Sequence, residues 1–183
     1  SLVIQSIVAP IIAAHGSEKL KSEWLPALAN GSRKMAFGIT EPDAGSNTHR
    51  ITTSATRTDR GWVLNGTKYW TSNIDQSDAV LLVARDGEPD ARGRAPLSLF
   101  VVPTNTPGIT MHPIEVALRS TEKQFTVFYD NVEIAEDAII GARGEGLKQV
   151  FAGLNPERVC AAAINNGIAR FALTKASRFA NDR

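Results

Sequence analysis

Three short stretches carry residue types that could do chemistry. The first, Phe37-Gly38-Ile39-Thr40-Glu41-Pro42-Asp43-Ala44-Gly45-Ser46, opens with alternating apolar residues and breaks at Pro42. Pro42 lacks an N–H and has a fixed φ, Gly45 can take φ > 0, and the Thr40 and Ser46 hydroxyls both donate and accept. A strand running into such a loop can present backbone amides and hydroxyls to a flat polar ligand; a plain polar loop, with Ser46 capping a turn, has the same composition. The second stretch, Lys68-Tyr69-Trp70-Thr71-Ser72-Asn73, sets a large aromatic ahead of two hydroxyls. Trp70 is then either an aromatic wall for a ligand or a core side chain. The third is Asn155-Pro156-Glu157-Arg158. Read as a helix start, with Asn155 as cap and Pro156 first, it puts Glu157 where the helix dipole favours an acid. Arg158 is disfavoured there, which points to an anionic ligand, whereas Glu157 alone is explained by the dipole.

The elements that must position these residues follow from periodicity and turn signals. Leu2, Val3, Ile4, Ile7, Val8, Ile11 and Ile12 recur at helical spacing before the stop at His15-Gly16. Ser17 can cap a second helix with Leu20, Trp24 and Leu28 on one face, closed by Asn30-Gly31 and kinked or shortened at Pro26. From Met35 the pattern changes to short strands, expected at 35–39, 51–57, 62–65, 67–71, 79–84, 97–102 and 124–129. Asn65-Gly66 is the strongest hairpin signal, because a type I′ turn needs φ > 0 at both central residues. The charged, Gly- and Pro-rich segment 86–96 reads as a mobile surface loop. A short helix is expected around Leu147 to Leu154, then a new, longer one from Asn155 with Val159, Ile164, Ile168, Phe171 and Phe179 along one stripe. The expected fold class is α+β: a small antiparallel β-barrel or sandwich over 34–142, flanked by helices at 1–33 and 143–183. No βαβ alternation and no G-x-G-x-x-G argue against a Rossmann fold.

Composition excludes several function classes. The 183 residues hold 20 basic and 19 acidic side chains, a net charge of +1, with no basic footprint for nucleic acid. Cys160 is the sole cysteine, which rules out an intrachain disulfide; with only His15, His49 and His112 besides, no zinc-ligand spacing exists. No apolar run reaches membrane-span length. A reducing, soluble compartment is expected, cytoplasmic or, in a eukaryote, the mitochondrial matrix. The opening without Met and the end inside a helical pattern suggest part of a longer protein.

Taken as a spaced pair, FGITEPDAGS and NGTKYWTSN resemble the middle domain of the acyl-CoA dehydrogenase family, flavoenzymes that place a double bond in acyl-CoA thioesters. The resemblance implies FAD as cofactor, held by Phe37, Ile39, Thr40, Gly45, Ser46, Trp70, Thr71 and Ser72. Thr40 would bond the pyrimidine side of the ring, Ser72 would lie near its central nitrogen, and Trp70 would pack against it. Ser46 would also touch the thioester ligand at the channel mouth. Asn155 and Arg158 match residues that approach coenzyme A, and Arg183 matches an arginine that reaches the FAD pyrophosphate of a neighbouring subunit. Glu157, immediately before Arg158, matches the catalytic base of the isovaleryl and long-chain branches; in other branches the base lies far downstream. An acyl-CoA substrate, an electron-accepting flavoprotein and a homodimer or homotetramer are implied as well. Oxidases and flavin monooxygenases of this fold share the flavin loop, and a non-catalytic β module would need no flavin. The segment 117–124 follows the family's Gly-x-Arg-x-Ser pattern only loosely, so no site is placed there.

Overall fold

The computed structural model of the chain describes residues 2–117 and 121–182, with side chains from Ile4 onward in the first helix. Helix α1 spans Leu2–His15 and buries Ile7, Val8, Ile11 and Ile12. Helix α2 spans Glu18–Asn30; the Leu20 N–H donates to Ser17 Oγ at 3.2 Å, and Gly31 closes the helix at φ 75°. Leu20, Trp24 and Leu28 are its buried face, as their spacing predicts. Pro26 does not shorten α2, which continues to Asn30.

Eight strands follow: β1 (Met35–Gly38), β2 (Ser54–Thr58), β3 (Gly61–Ser72), β4 (Ala79–Arg85), β5 (Leu97–Pro103), β6 (Ile109–Ile114), β7 (Gln124–Ala135) and β8 (Ile139–Ile140). Their order is β6-β7-β3-β2-β4-β5-β8, with β1 beside β4. The α+β class holds, but the sheet is neither closed nor wholly antiparallel, since β1 and β2 both run parallel to β4. β4 and β5 are buried on both faces, which is why they read as unbroken apolar runs. Ala79, Leu81 and Val83 face the helices with Leu97, Leu99 and Val101. Val80, Leu82, Phe100 and Val102 face the other way, onto Trp62, Leu64, Phe125 and Val127 of β3 and β7. There the Trp62 and Phe100 rings meet edge to face, 5.1 Å apart, a geometry that adds about 0.5–1.5 kcal/mol to their burial.

Three expectations need correcting. Asn65-Gly66 is no hairpin turn, because β3 runs straight through it; the β2–β3 turn is at Asp59-Arg60 instead. Gly66, at φ 147°, marks a register shift against β7, and a Cβ there would sit 2.6 Å from Thr53 Cα. The dipeptide therefore serves a bulge and a close backbone approach, with Asn65 Oδ1 accepting from the Asn131 N–H at 2.9 Å. Second, β6 forms between the strands expected at 97–102 and 124–129, where no strand is expected. Its Pro113 suits an edge strand, which needs no N–H at that position. Third, no helix begins at Asn155: α3 is one helix, Gly146–Asn181, with Pro156 inside it. Packing carries the helix through, because its first turns are fixed on α1 and β5. Gly153 lies so close to α1 that a Cβ would come within 2.1 Å of the Ile7 carbonyl oxygen. The surface loop 86–96 is exposed as expected except at Asp86 and, in part, at Ala95. Asp86 is buried, accepting from Ser98 Oγ at 2.7 Å and Arg143 Nε at 3.0 Å.

Candidate functional site

A cavity of about 350 Å³ opens where β1 runs into the following loop and β3 ends. Phe37, Ile39, Thr40, Trp70 and Ser72 line it, joined by Ile4 and Ile7 of α1, Tyr69 and Glu122. Both predicted stretches thus meet at one hollow. Trp70 is 47% exposed, so it is not a core aromatic. Its backbone holds φ 59°, and β3 shifts register against β7 between Lys68 and Thr71. A bulge with a non-glycine residue in the left-handed region turns a side chain out of the strand's alternation, and such strain collects at functional sites. The Trp70 ring meets Tyr69 edge to face at 5.0 Å. Ser72 Oγ donates to Gln124 Oε1 at 2.8 Å, which fixes the hydroxyl at the cavity wall.

The loop is built as a tight return. Glu41 and Ala44 exchange backbone bonds, N–H to carbonyl, of 2.9 and 3.1 Å around Pro42-Asp43. Gly45 and Ser46 beyond it are exposed. Gly45 does not use its conformational freedom, since its φ is not positive, and a Cβ there would meet nothing within 4 Å. Thr40 is held from below by the Tyr69 N–H, which donates to its carbonyl at 2.8 Å. Its hydroxyl bonds no described residue.

Under this loop lies a feature that sequence reasoning did not single out. Lys68 is fully buried; its Nζ donates to Glu41 Oε1 at 2.8 Å and to the Ile39 carbonyl at 3.1 Å. Glu41, itself buried, also accepts from Thr52 N–H (2.7 Å), Thr52 Oγ1 (2.8 Å) and Thr53 N–H (3.0 Å). Burial pushes the Glu41 carboxyl up, but the Lys68 ammonium and the threonine donors outweigh it and hold the group down at about 2. Burial pushes the Lys68 ammonium down, against the pull of Glu41. The signal was available: Lys68 shares the parity of buried Trp62 and Leu64 in β3, and an inward lysine needs a carboxylate.

The remaining predicted residues lie elsewhere. Thr71 points into the protein, buried, with its hydroxyl lacking a described partner. Asn155 and Arg158 are exposed on α3 and Glu157 is half-buried; Arg158 stacks on the Phe151 ring at 5.3 Å. Glu157 is one helical turn past Gly153, on the face that meets α1 at Ile7. Ile7 also lines the cavity, but among the described residues that do so none belongs to α3. With Pro156 inside α3, neither residue is in a first turn, and the dipole argument for them lapses. Arg183 lies outside the described residues. Among the described residues, no group of three or more His, Cys, Asp or Glu side chains is placed to hold a metal ion, and no helix is long and apolar enough to cross a membrane.

The sequence profile of the acyl-CoA dehydrogenase middle domain matches residues 36–132, from β1 into β7. The chain belongs to the acyl-CoA dehydrogenase family. It is 48% identical over 182 residues to acyl-CoA dehydrogenase FadE12 of Mycobacterium tuberculosis, covering all of this chain and 47% of that protein. The structure of a glutaryl-coenzyme A dehydrogenase in complex with glutaryl-CoA superposes on all of this chain and 46% of its own, with a TM-score of 0.89 at 34% identity. A glutaryl-CoA dehydrogenase from Mycobacterium smegmatis in complex with FADH2 matches 85% of this chain and 39% of its own, with a TM-score of 0.75 at 35% identity. The chain thus spans about half the length of the curated relatives it matches.

Proposed function

We propose that the protein carries out FAD-dependent α,β-dehydrogenation of an acyl-CoA thioester. The observation that carries this reading is the gathering of Phe37, Ile39, Thr40, Trp70 and Ser72 around one cavity, with Trp70 turned outward by a strained backbone. A half-exposed indole, a hydroxyl that bonds no described residue and open space over Gly45 fit a flat, polar-edged ring. When bound, FAD supplies a two-electron acceptor able to take a hydride. Thr40 would hold the polar edge of the ring, Ser72 its centre, and Trp70 one face. Ser46, at the exposed end of the loop, would meet both cofactor and thioester.

In this reading Glu157, or a glutamate beyond residue 183, removes the α-proton. The group must sit in a water-poor pocket, and Glu157 is half-buried on α3. Arg158 and Asn155, exposed beside it, would take the anionic coenzyme A end, and Arg183 the FAD pyrophosphate of a neighbouring subunit. An electron-accepting flavoprotein as partner, a homodimer or homotetramer and a cytoplasmic or mitochondrial-matrix location belong to the same proposal. So does the division into 1–33, 34–142 and 143–183.

The test is the visible absorption spectrum of the purified full-length protein, then anaerobic titration with acyl-CoAs of different length and branching. A flavin spectrum bleached by one chain type, with slow reoxidation in air, is the expected result and identifies the substrate class. Fast reoxidation would assign an oxidase, and a flavin that no acyl-CoA bleaches would favour the monooxygenase relatives. Colourless protein that cannot be reconstituted with FAD would leave only the β module.

A further inference from the structure

The Lys68–Glu41 ion pair sits where the two cavity-lining stretches are joined. Three successive loop residues are docked on two successive strand residues. Lys68 Nζ holds the Ile39 carbonyl, the Tyr69 N–H holds the Thr40 carbonyl, and Lys68 Nζ again holds the Glu41 carboxylate. The next strand residue is Trp70, where the backbone enters the left-handed region. On its far side the same carboxylate gathers both backbone N–H groups of Thr52 and Thr53. A side chain that only filled space here would be apolar, since an isolated buried charge is costly and a buried pair adds little net stability over a well-packed apolar one. What a buried, multiply bonded pair does supply is a fixed distance and angle between the segments it joins.

We propose that Lys68 and Glu41 are positioning residues for the flavin, a latch that sets Thr40 and Trp70 at the separation the ring requires. This rests on the FAD-binding reading above. Neither side chain is among the residues lining the cavity, so the latch acts through Thr40 and Trp70 and not by touching the ring. Its loss leaves both ligand-contacting residues in the chain while removing their mutual registration.

Full-length wild-type protein, Glu41→Asp, and the double variant Glu41→Gln/Lys68→Met are titrated with FAD, and the thermal midpoint of each is measured without FAD. The double variant removes both charges together, so its midpoint is expected close to wild type, while its FAD dissociation constant rises tenfold or more. Glu41→Asp keeps the charge but shortens its reach, so it is expected to fold, bind FAD several-fold more weakly and shift the bound-flavin absorption bands. Should the double variant fail to fold, Glu41→Asp decides. Wild-type affinity and an unaltered flavin spectrum in the folded variants would overturn the latch and leave the pair as structural only. Wild-type protein that binds no FAD would instead overturn the underlying reading, and the latch with it.

Discussion

Glu157 and Glu41 are carboxylates in different settings, one half-buried on α3 and one buried against Lys68, and each makes a distinct prediction. If Glu157 takes the α-proton, Glu157→Gln in the full-length protein abolishes bleaching of the flavin by acyl-CoA while the flavin stays bound. Retained bleaching in an anaerobic stopped-flow trace would place the base elsewhere. Glu41 acts on stability. Its folded-state value, about 2, lies below the ordinary 4.5, so its contribution is fully present above about pH 4.5 and is lost as the pH falls toward 2. Denaturant unfolding should therefore show stability dropping across that window, and Glu41→Gln should flatten the drop. The residues around the cavity were legible because Thr40, Trp70 and Ser72 belong to two contiguous motifs. The Lys68–Glu41 pair was hidden because its partners are 27 positions apart and only the strand's parity hints at it.

Two glycines of α3 separate packing from propensity within one element. Gly153→Ala would drive a methyl group into the Ile7 carbonyl, whereas nothing lies within 4 Å of a Cβ at Gly167. Gly153→Ala should lower stability by about 1–3 kcal/mol, the cost of overpacking. Gly167→Ala should raise helix content in residues 1–183, since alanine favours a helix by about 1 kcal/mol over glycine. Thermal melts followed by circular dichroism check both, and equal effects would contradict the α1–α3 contact. The same contact explains why the helix boundaries were misread. Asn155-Pro156 is a valid start signal taken locally, as Asn65-Gly66 is a valid turn signal. Tertiary packing chose continuation in the one case and a bulge in the other. By contrast, the Ser17 cap, the Gly31 stop and the buried runs of β4 and β5 were readable, because in each case the local signal and the packing agree.

Across the whole molecule, order is unevenly anchored. β4 and β5 have both faces covered, while α3 beyond Cys160 exposes Ile164, Ile168, Phe171, Leu173 and Phe179. For residues 1–183 alone, amide hydrogen exchange should be fast over 162–181 and slowest in β4 and β5. Equal protection in both regions would mean that the helix is covered after all. The long apolar stripe was evident from its spacing, and that spacing carries no information about what packs on it.

Pro156 divides that helix mechanically. It donates no N–H to the Ala152 carbonyl one turn before it, so α3 has a weak point there. The 25 residues from Glu157 to Asn181 form an arm of roughly 36 Å at 1.5 Å per residue. Swinging that arm by about 10° about Pro156 would carry its tip by roughly 6 Å, yet Glu157, at the pivot, would scarcely move. Whatever takes hold of the far end can therefore settle into place while Glu157 stays almost still.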